Sequence, residues 1–405
     1  MSLSFAIETK GYQLLQGAMK GVAAVMKFPR PELYEGPDSS LELCDAIVRR
    51  GERNILLLTD NMLVQLGLLT KIEQRLQANG VNVTVFSEVT PDPTFAEIEA
   101  ALALLQQQQC QAVLAVGGGS VMDCAKVVCA AATNKKGARK MAGLFKVRKT
   151  PLPLFVVPTT AGTGSEVTLA AVVSDPEAGS KFPIMDPKLT PLMAALDGAL
   201  MTGLPPAITA ATGMDALTHA VEAYISRNAF ADTDDNALAA TRLIMNNLPQ
   251  AFANGRDVDN RQQMAQASYY AGLAFTKAGV GYVHAIAHTF GARYHTPHGL
   301  ANAIVLPYVL DYSRDAVIAR LAKLAEVSGL GGSAATPEQQ ADAFIAHVRA
   351  LAASFDIPTT LADLQASDIP ELARTALKEA HLTYAVPKYM DQATCEAMIS
   401  KMLPA

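Results

Sequence analysis

The chain contains no tryptophan, and aromatic residues make up only 6% of it. Its five cysteines, Cys44, Cys110, Cys124, Cys129 and Cys395, form no CxxC pair and keep no regular spacing. An odd, scattered set excludes a disulfide framework and fits free thiols in a reducing compartment. No uninterrupted apolar run reaches the ~20 residues that a membrane span requires. The first residues lack a charged-then-apolar leader pattern, because Glu8, Lys10, Gln13 and Gln16 interrupt it. There is no basic stripe and no Arg/Lys run interleaved with aromatics, which removes nucleic acid as an expected partner. Charged residues are sparse at 18%, with a net charge of −5, while half the residues are apolar, so intrinsic disorder is excluded as well. The expectation left standing is a soluble cytoplasmic protein with no membrane or nucleic-acid partner.

What is present is periodic, and 405 residues exceed a single ordinary core. From Gly11 to Met26, Leu14, Leu15, Met19, Val22, Val25 and Met26 follow helical spacing. Residues 1–35 read as an N-terminal extension whose amphipathic helix packs on the body or on another subunit. Ser39 and Glu42 fit a capping box opening a helix through Arg50. Apolar strands (Asn54–Thr59, Val81–Phe86, Ala112–Val116, Pro153–Val157) then alternate with helices at about 61–79, Thr94–Gln108 and Ser120–Thr133. Residues Ala170 to Ile184, with Asp175 and Pro176 in a turn, read as a hairpin or an edge pair. Buried strands alternating with helices imply a parallel α/β sheet over residues 36–203. After Leu204-Pro-Pro-Ala strand signals vanish and helical periodicity fills 204–405. The expected fold class is α/β plus all-α.

Three polar loops follow apolar strands in the first domain. Gly117-Gly-Gly-Ser-Val-Met-Asp123 joins a strand to a helix, and such a turn lets a phosphate approach backbone N–H groups at a helix start. It is not G-x-G-x-x-G, since Met122 holds the third glycine position. Asp60 ends a strand, where an acid can accept hydrogen bonds from ribose hydroxyls and repel a 2′-phosphate, favouring NAD over NADP. The same residue reads equally well as the N-cap of the following helix. Pro158-Thr-Thr-Ala-Gly-Thr-Gly-Ser-Glu166 offers Thr159, Thr160, Thr163 and Ser165 among glycines. Together the loops suit a dinucleotide.

The second half concentrates histidine. Of seven in the chain, His284, His288, His295 and His298 fall within fifteen residues, and Asp215 and His219 stand four apart upstream. Spacing of i,i+4 puts two side chains on one helix face, and imidazole with carboxylate is a donor set for Fe(II), Zn(II), Mn(II) or Co(II). Asp215 alone reads as a cap, and His219 alone as a packed core residue. Several core histidines without a metal would each need a hydrogen-bond partner, so the clusters together point to a metal site. No HExxH is present, and no carboxylate base stands within the cluster, which argues against a metallohydrolase.

These motifs, in this order, resemble the iron-dependent (group III) alcohol dehydrogenases. The matching stretches are Thr59-Asp60, Gly117–Asp123, Pro158–Glu166, Gly213-Met-Asp-Ala-Leu-Thr-His219 and the run from Gly281 to Pro307, with coverage from about Phe28 to the C-terminus. The resemblance implies a Rossmann-like N-terminal domain and a helical C-terminal domain. It implies that Asp215, His219, His284 and His298 ligate the metal, Fe(II) or alternatively Zn(II). His288 takes the position of a neighbouring non-ligand histidine that relays a proton, and His295 matches no ligand position. For NAD, it carries Asp60 to the adenine ribose and Gly118, Gly119, Ser120 and Asp123 to the pyrophosphate loop. Thr159, Thr160, Thr163 and Lys181 continue toward the nicotinamide. The chain departs from the family in reading Gly36-Pro-Asp-Ser where a Gly-x-Gly turn is common, and in its long N-terminal extension.

The function expected is metal-dependent, NAD-linked interconversion of a small primary alcohol or diol and its aldehyde, by a homodimer or higher homo-oligomer. Ala274, Phe275 and Val280 near the metal motif favour a small aliphatic substrate. A glycerol dehydrogenase using zinc and a hydroxyacid–oxoacid transhydrogenase share the fold. A dehydroquinate-synthase-like lyase would need several cations for an anionic substrate, and only Lys277 and Arg293 stand near the histidines. A purely structural metal protein would leave the three polar loops without a purpose.

Overall fold

The computed structural model describes residues 3–134, 137–175, 180–332 and 334–404. The elements of the first half are α1 (Leu3–Val25), β1 (Glu32–Glu35), α2 (Ser39–Arg50), β2 (Asn54–Leu58), α3 (Asn61–Gln65), α4 (Thr70–Ala78), β3 (Asn82–Phe86), α5 (Phe95–Gln107), β4 (Ala112–Gly117), α6 (Gly119–Asn134), β5 (Gly143–Leu144), β6 (Leu154–Pro158), β7 (Ala170–Asp175), β8 (Ser180–Met185) and β9 (Met193–Leu196). The remainder is helical: α7 (Pro206–Ile225), α8 (Ala231–Ala253), α9 (Val258–Ala278), α10 (Tyr282–Tyr294), α11 (His298–Ser313), α12 (Ile318–Val327), α13 (Pro337–Ser354), α14 (Ile369–Thr383) and α15 (Gln392–Ser400). The chain divides into two compact units, one of residues 28–204 and 255–272, the other of residues 1–27, 205–254 and 273–405.

The first unit holds a six-stranded, all-parallel sheet in the order β1-β9-β6-β4-β2-β3. Its inner strands β2, β4, β6 and β9 are apolar on both faces because helices cover both. Leu56 and Leu58 of β2 enter one core with α5 and α6, while Ile55 and Leu57 enter the other with α2 and α4. From β2 the chain goes outward to β3 and then back across to β4. The order therefore reverses between β2 and β4, and the crevice beyond their C-terminal ends is where such sheets take ligands. A smaller sheet, β5-β8-β7, contains the hairpin expected over 170–184. Pro176 of its expected turn lies outside the described residues.

Several local expectations need correction. The segment 1–35 is not one extension, because Glu32–Glu35 forms the edge strand β1, paired with β9. The Ser39/Glu42 capping box does not form. Asp38 precedes α2 in the left-handed region (φ 63°) with no side-chain cap, and Ser40 Oγ instead donates to the buried Asp197 at 2.7 Å. The helix expected over 61–79 is broken into α3 and α4 at Gly67, whose φ of +68° no continuous helix allows.

In the helical unit, α1 turns Tyr12 onto His381 and Tyr389, with ring centroids 5.0 and 5.9 Å apart. Gln16 donates to the Leu382 carbonyl, and Lys20 to those of Arg227 and Ala229. Behind this face, the Tyr282 hydroxyl accepts from Met390 N (2.8 Å) and lies 2.9 Å from His381 Nε2. These contacts fix Tyr282, and with it the first turn of α10.

Burial pulls His381 down from 6.5 to about 4. Below pH 6.5 the unfolded chain takes up a proton that the folded one refuses, so stability is full above 6.5 and falls toward pH 4, by about 3 kcal/mol at most. Urea denaturation of the wild type and His381→Gln at pH 7 and pH 4.5 should show the wild type losing more stability. Parallel losses would remove His381 as the cause.

Candidate functional site

Helix α7 presents Asp215, His219 and Glu222 on one buried face, at positions i, i+4 and i+7. His284 lies in the first turn of α10 and His298 opens α11. The α11 start can lie against α7 because residue 299 is glycine. A Cβ there would stand 2.4 Å from the Ala211 carbonyl oxygen. One donor atom from each of Asp215, His219, His284 and His298 lies within 4.8 Å of the other three. Asp215 Oδ1 is 3.5 Å from His298 Nε2 and 3.9 Å from His284 Nε2, and Asp215 Oδ2 is 3.9 Å from His219 Nδ1. The first three residues are 2–5% exposed, while His298 is open to solvent. Phe275 stacks on His219 at 4.2 Å, and His219 on His284 at 4.5 Å.

This donor set fits a divalent transition metal. His284 is held well below its usual pKa, first by burial and then by its histidine neighbours, so it is the neutral imidazole that a metal needs. Its Nδ1 stands 2.7 Å from Glu222 Oε2, which places the proton there and leaves the Nε2 lone pair facing Asp215 and His298. The Asn302 amide nitrogen reaches 2.7 Å from Asp215 Oδ1, 3.2 Å from His284 Nε2 and 3.1 Å from His298 Nε2. Lone pairs converging on one point draw in whatever positive group is within reach.

Glu222 was not singled out from the sequence. Besides His284 Nδ1 it accepts from the backbone N–H groups of Gly281 (2.8 Å), Val283 (2.7 Å) and His284 (3.4 Å), and so caps α10. Burial pushes its carboxyl up to about 7, but four N–H donors on two oxygens leave little room for a proton. Gly281 is required here, since a Cβ would sit 2.7 Å from Glu222 Oε1. The only sequence signal was an acid three residues after His219.

His288 lies beside the four donors rather than among them, its ring 5.4 Å from that of His298. Its Nδ1 is 2.7 Å from Glu379, which also accepts from Tyr384 OH at 2.7 Å. Neither partner was anticipated. His295 is exposed and ends α10 in the left-handed region (φ 55°), a role in chain reversal.

In the sheet unit, Asp60 follows β2 and caps α3, accepting from Leu63 N at 3.0 Å. Gly118 joins β4 to α6, which Gly119 opens, and both glycines lie against the threonine loop. A Cβ on Gly119 would meet Thr163 at 2.7 Å, and one on Gly118 would meet Thr160 at 3.4 Å. Thr159 N continues the β4 pairing to the Gly117 carbonyl, and Thr163 Oγ1 accepts from Ser165 N. Ser120 Oγ accepts from Asp92 N (3.2 Å), and Lys181 pairs with the Asp92 carboxylate (2.6 Å). Asp92 thus ties together two residues that had been grouped with the cofactor. Asp123 faces inward: Oδ1 accepts from Ser165 Oγ and Oδ2 from Val172 N. Both its oxygens hold the loop, so it organises that loop rather than offering a contact to a phosphate, which it would repel.

Glu222→Gln should weaken Fe(II), Zn(II) and Co(II) binding by roughly ten- to a hundredfold, because an amide cannot accept all four N–H bonds. Competition against a chromogenic chelator measures this. Unchanged affinity would show that His284 needs no such partner.

The family described as iron-containing alcohol dehydrogenase matches residues 30–198, and the Fe-containing alcohol dehydrogenase family, C-terminal, matches residues 209–403. Lactaldehyde reductase of Escherichia coli (strain K12) is 38% identical over 341 residues, covering 83% of this chain and 89% of the relative. The 1,3-propanediol dehydrogenase of Klebsiella pneumoniae is 39% identical over 352 residues, covering 86% and 91%. The crystal structure of a 1,3-propanediol oxidoreductase superposes with a TM-score of 0.90 at 36% identity, covering 93% of this chain and 100% of its own. With both halves matched, and the aspartate and histidines of the helical half gathered at one point, the chain belongs to the iron-containing alcohol dehydrogenase family.

Proposed function

We propose that the protein interconverts a small primary alcohol or diol and its aldehyde with NAD, using Fe(II), or alternatively Zn(II), held by Asp215, His219, His284 and His298. The observation that carries the reading is the convergence of these four donors within 4.8 Å. When bound, the metal supplies Lewis acidity toward the substrate oxygen, and the nicotinamide supplies hydride exchange. Asp215 brings the negative charge that offsets a divalent ion, and Glu222 keeps His284 in the ligating tautomer. Glu379 holds the Nδ1 proton of His288, which leaves Nε2 to take up and pass on the proton that alcohol oxidation releases. Phe275 keeps one side of His219 dry.

A small uncharged substrate is supported by the surroundings. Lys277 is paired with Asp232 and Arg293 with Asp368, so neither cation is free to neutralise a substrate phosphate. The names of the relatives, a lactaldehyde reductase and a 1,3-propanediol dehydrogenase, point to the same class of compound. NAD is preferred over NADP because a 2′-phosphate would be repelled by the carboxylate of Asp60, which follows β2 and also caps α3. Gly118, Gly119 and Ser120, with Thr159, Thr160 and Thr163, surround the pyrophosphate, and Lys181 stays with Asp92 at the nicotinamide side.

The assembly is a homodimer or larger homo-oligomer. Its support is the outer face of α1, where Ile7, Leu14 and Val25 are 64%, 77% and 84% exposed. No helix among the described residues is long and apolar enough to cross a membrane. A cytoplasmic location is supported by five buried, unpaired cysteines.

An anaerobic screen of alcohols and diols for NADH production, with metal analysis of the same sample, tests the reading. Activity should peak on short alcohols or diols, and His284→Ala should lose both bound metal and turnover. A metal-free variant with full activity would falsify the role of the cluster. Asp60→Asn keeps the helix cap but removes the charge, and should raise NADP use relative to NAD roughly tenfold as like-charge repulsion is relieved. An unchanged cofactor ratio, measured by kcat/KM, would leave Asp60 as a cap alone.

A further inference from the structure

Beneath the glycine turn and the threonine loop lies a buried lysine that the mechanism does not use. Lys126 is 1% exposed, and its ammonium donates to Ser165 Oγ, Thr168 Oγ1 and the Ala170 carbonyl, each at 2.8 Å. One turn earlier on α6, Asp123 takes the Ser165 hydroxyl proton at 2.7 Å and the Val172 N–H at 2.9 Å. The two side chains stand 3.8 Å apart at i,i+3. Five hydrogen bonds therefore run from one face of α6 to one segment, residues 165–172. That segment continues directly from Thr159, Thr160 and Thr163.

We propose that Lys126 is a positioning residue for the dinucleotide: with Asp123 it sets the height of the threonine loop above the Gly118-Gly119 turn. The inference rests on the proposed NAD binding at that turn.

Burying an ammonium is unfavourable, and an apolar side chain of similar length would fill the same space without that penalty. What an apolar residue could not do is fix three oxygens of one loop at hydrogen-bond distance. Burial draws the ammonium down to about 8, against the pull of Asp123 and Glu166, so near neutral pH it is still mostly protonated and all three donors are in place. The tolerance above is small. Thr163 stands where a Gly119 Cβ would be, and on the far side Gly164 (φ 61°) has room for no Cβ, since one would fall 2.7 Å from Gly272 Cα. The loop is thus pinned from below by Lys126 and from behind by Gly272. A loop released from Lys126 would have to be ordered again by each incoming ligand, which weakens binding.

Lys126→Met is the direct test, read by calorimetric titration with NAD and with ADP-ribose and by steady-state kinetics. Both ligands should bind roughly tenfold more weakly. KM for NAD should rise by a similar factor while kcat at saturating NAD moves much less. Affinity for Fe(II) should stay within twofold, since the metal donors belong to the other unit, and that constancy separates the proposal from general destabilisation. A folded, metal-replete Lys126→Met that binds NAD within twofold of the wild type overturns it. Should that variant fail to fold, Ser165→Ala removes the hydroxyl shared by Lys126 and Asp123 and should weaken NAD binding about threefold, with no loss counting against the proposal. Wild-type protein that binds neither NAD nor ADP-ribose would instead refute the nucleotide reading itself.

Discussion

The cluster of Asp215, His219, His284 and His298 leans on the contact between Glu222 and the first turn of α10. A carboxylate buried in a helical core is unfavourable unless its oxygens are filled, and here four N–H groups fill them. Three of those groups are backbone donors that any helix start leaves unsatisfied, so capping α10 and orienting His284 are the same interaction. Because Asp215 and His219 lie on the same helix as Glu222, the capping bond also sets where α10 stands relative to α7. The Tyr282 hydroxyl, tied to His381 and Met390, holds the same turn from its other side.

The sheet unit is organised by a comparable economy. The reversal of strand order between β2 and β4 brings the ends of those strands together, and both carry the loops that the sequence marks as polar. Asp60 is the cap of α3, and the proposed ribose contact would draw on the same carboxylate. The α6 helix offers its N-terminal amides at Gly119 on one side and anchors the threonine loop through Asp123 and Lys126 on another.

What could be read from the sequence follows from where the physics is local. Apolar runs bounded by polar turns revealed the central strands, since a strand buried on both faces carries its signal in consecutive residues. The edge strand Glu32–Glu35 and its neighbour Met193–Leu196 escaped notice. One has two acids in four residues, the other two alanines, and both owe their existence to pairing across the sheet rather than to intrinsic preference. The break at Gly67 and the uncapped start of α2 were missed for a related reason, because glycine position and Ser40–Asp197 bonding matter only once tertiary partners are in place. Four candidate ligands could be named because histidine is scarce here. Glu222, Glu379, Asp92 and Lys126 could not, because a charged side chain carries no local mark of its distant partner, and only the fold shows what each of them bonds.

The four clustered side chains Asp215, His219, His284 and His298, together with Glu222 and Asn302, belong to the helical unit, while the glycine turn, the threonine loop and Asp60 belong to the sheet unit. Neither ligand needs the other for its site to exist. Under the proposed function the chain could then take up its ion with no dinucleotide at hand and await the coenzyme already loaded with metal. On the proposed assignment, the supply of the divalent metal would set the competent fraction of the protein, and the coenzyme pool would govern only how fast that fraction works.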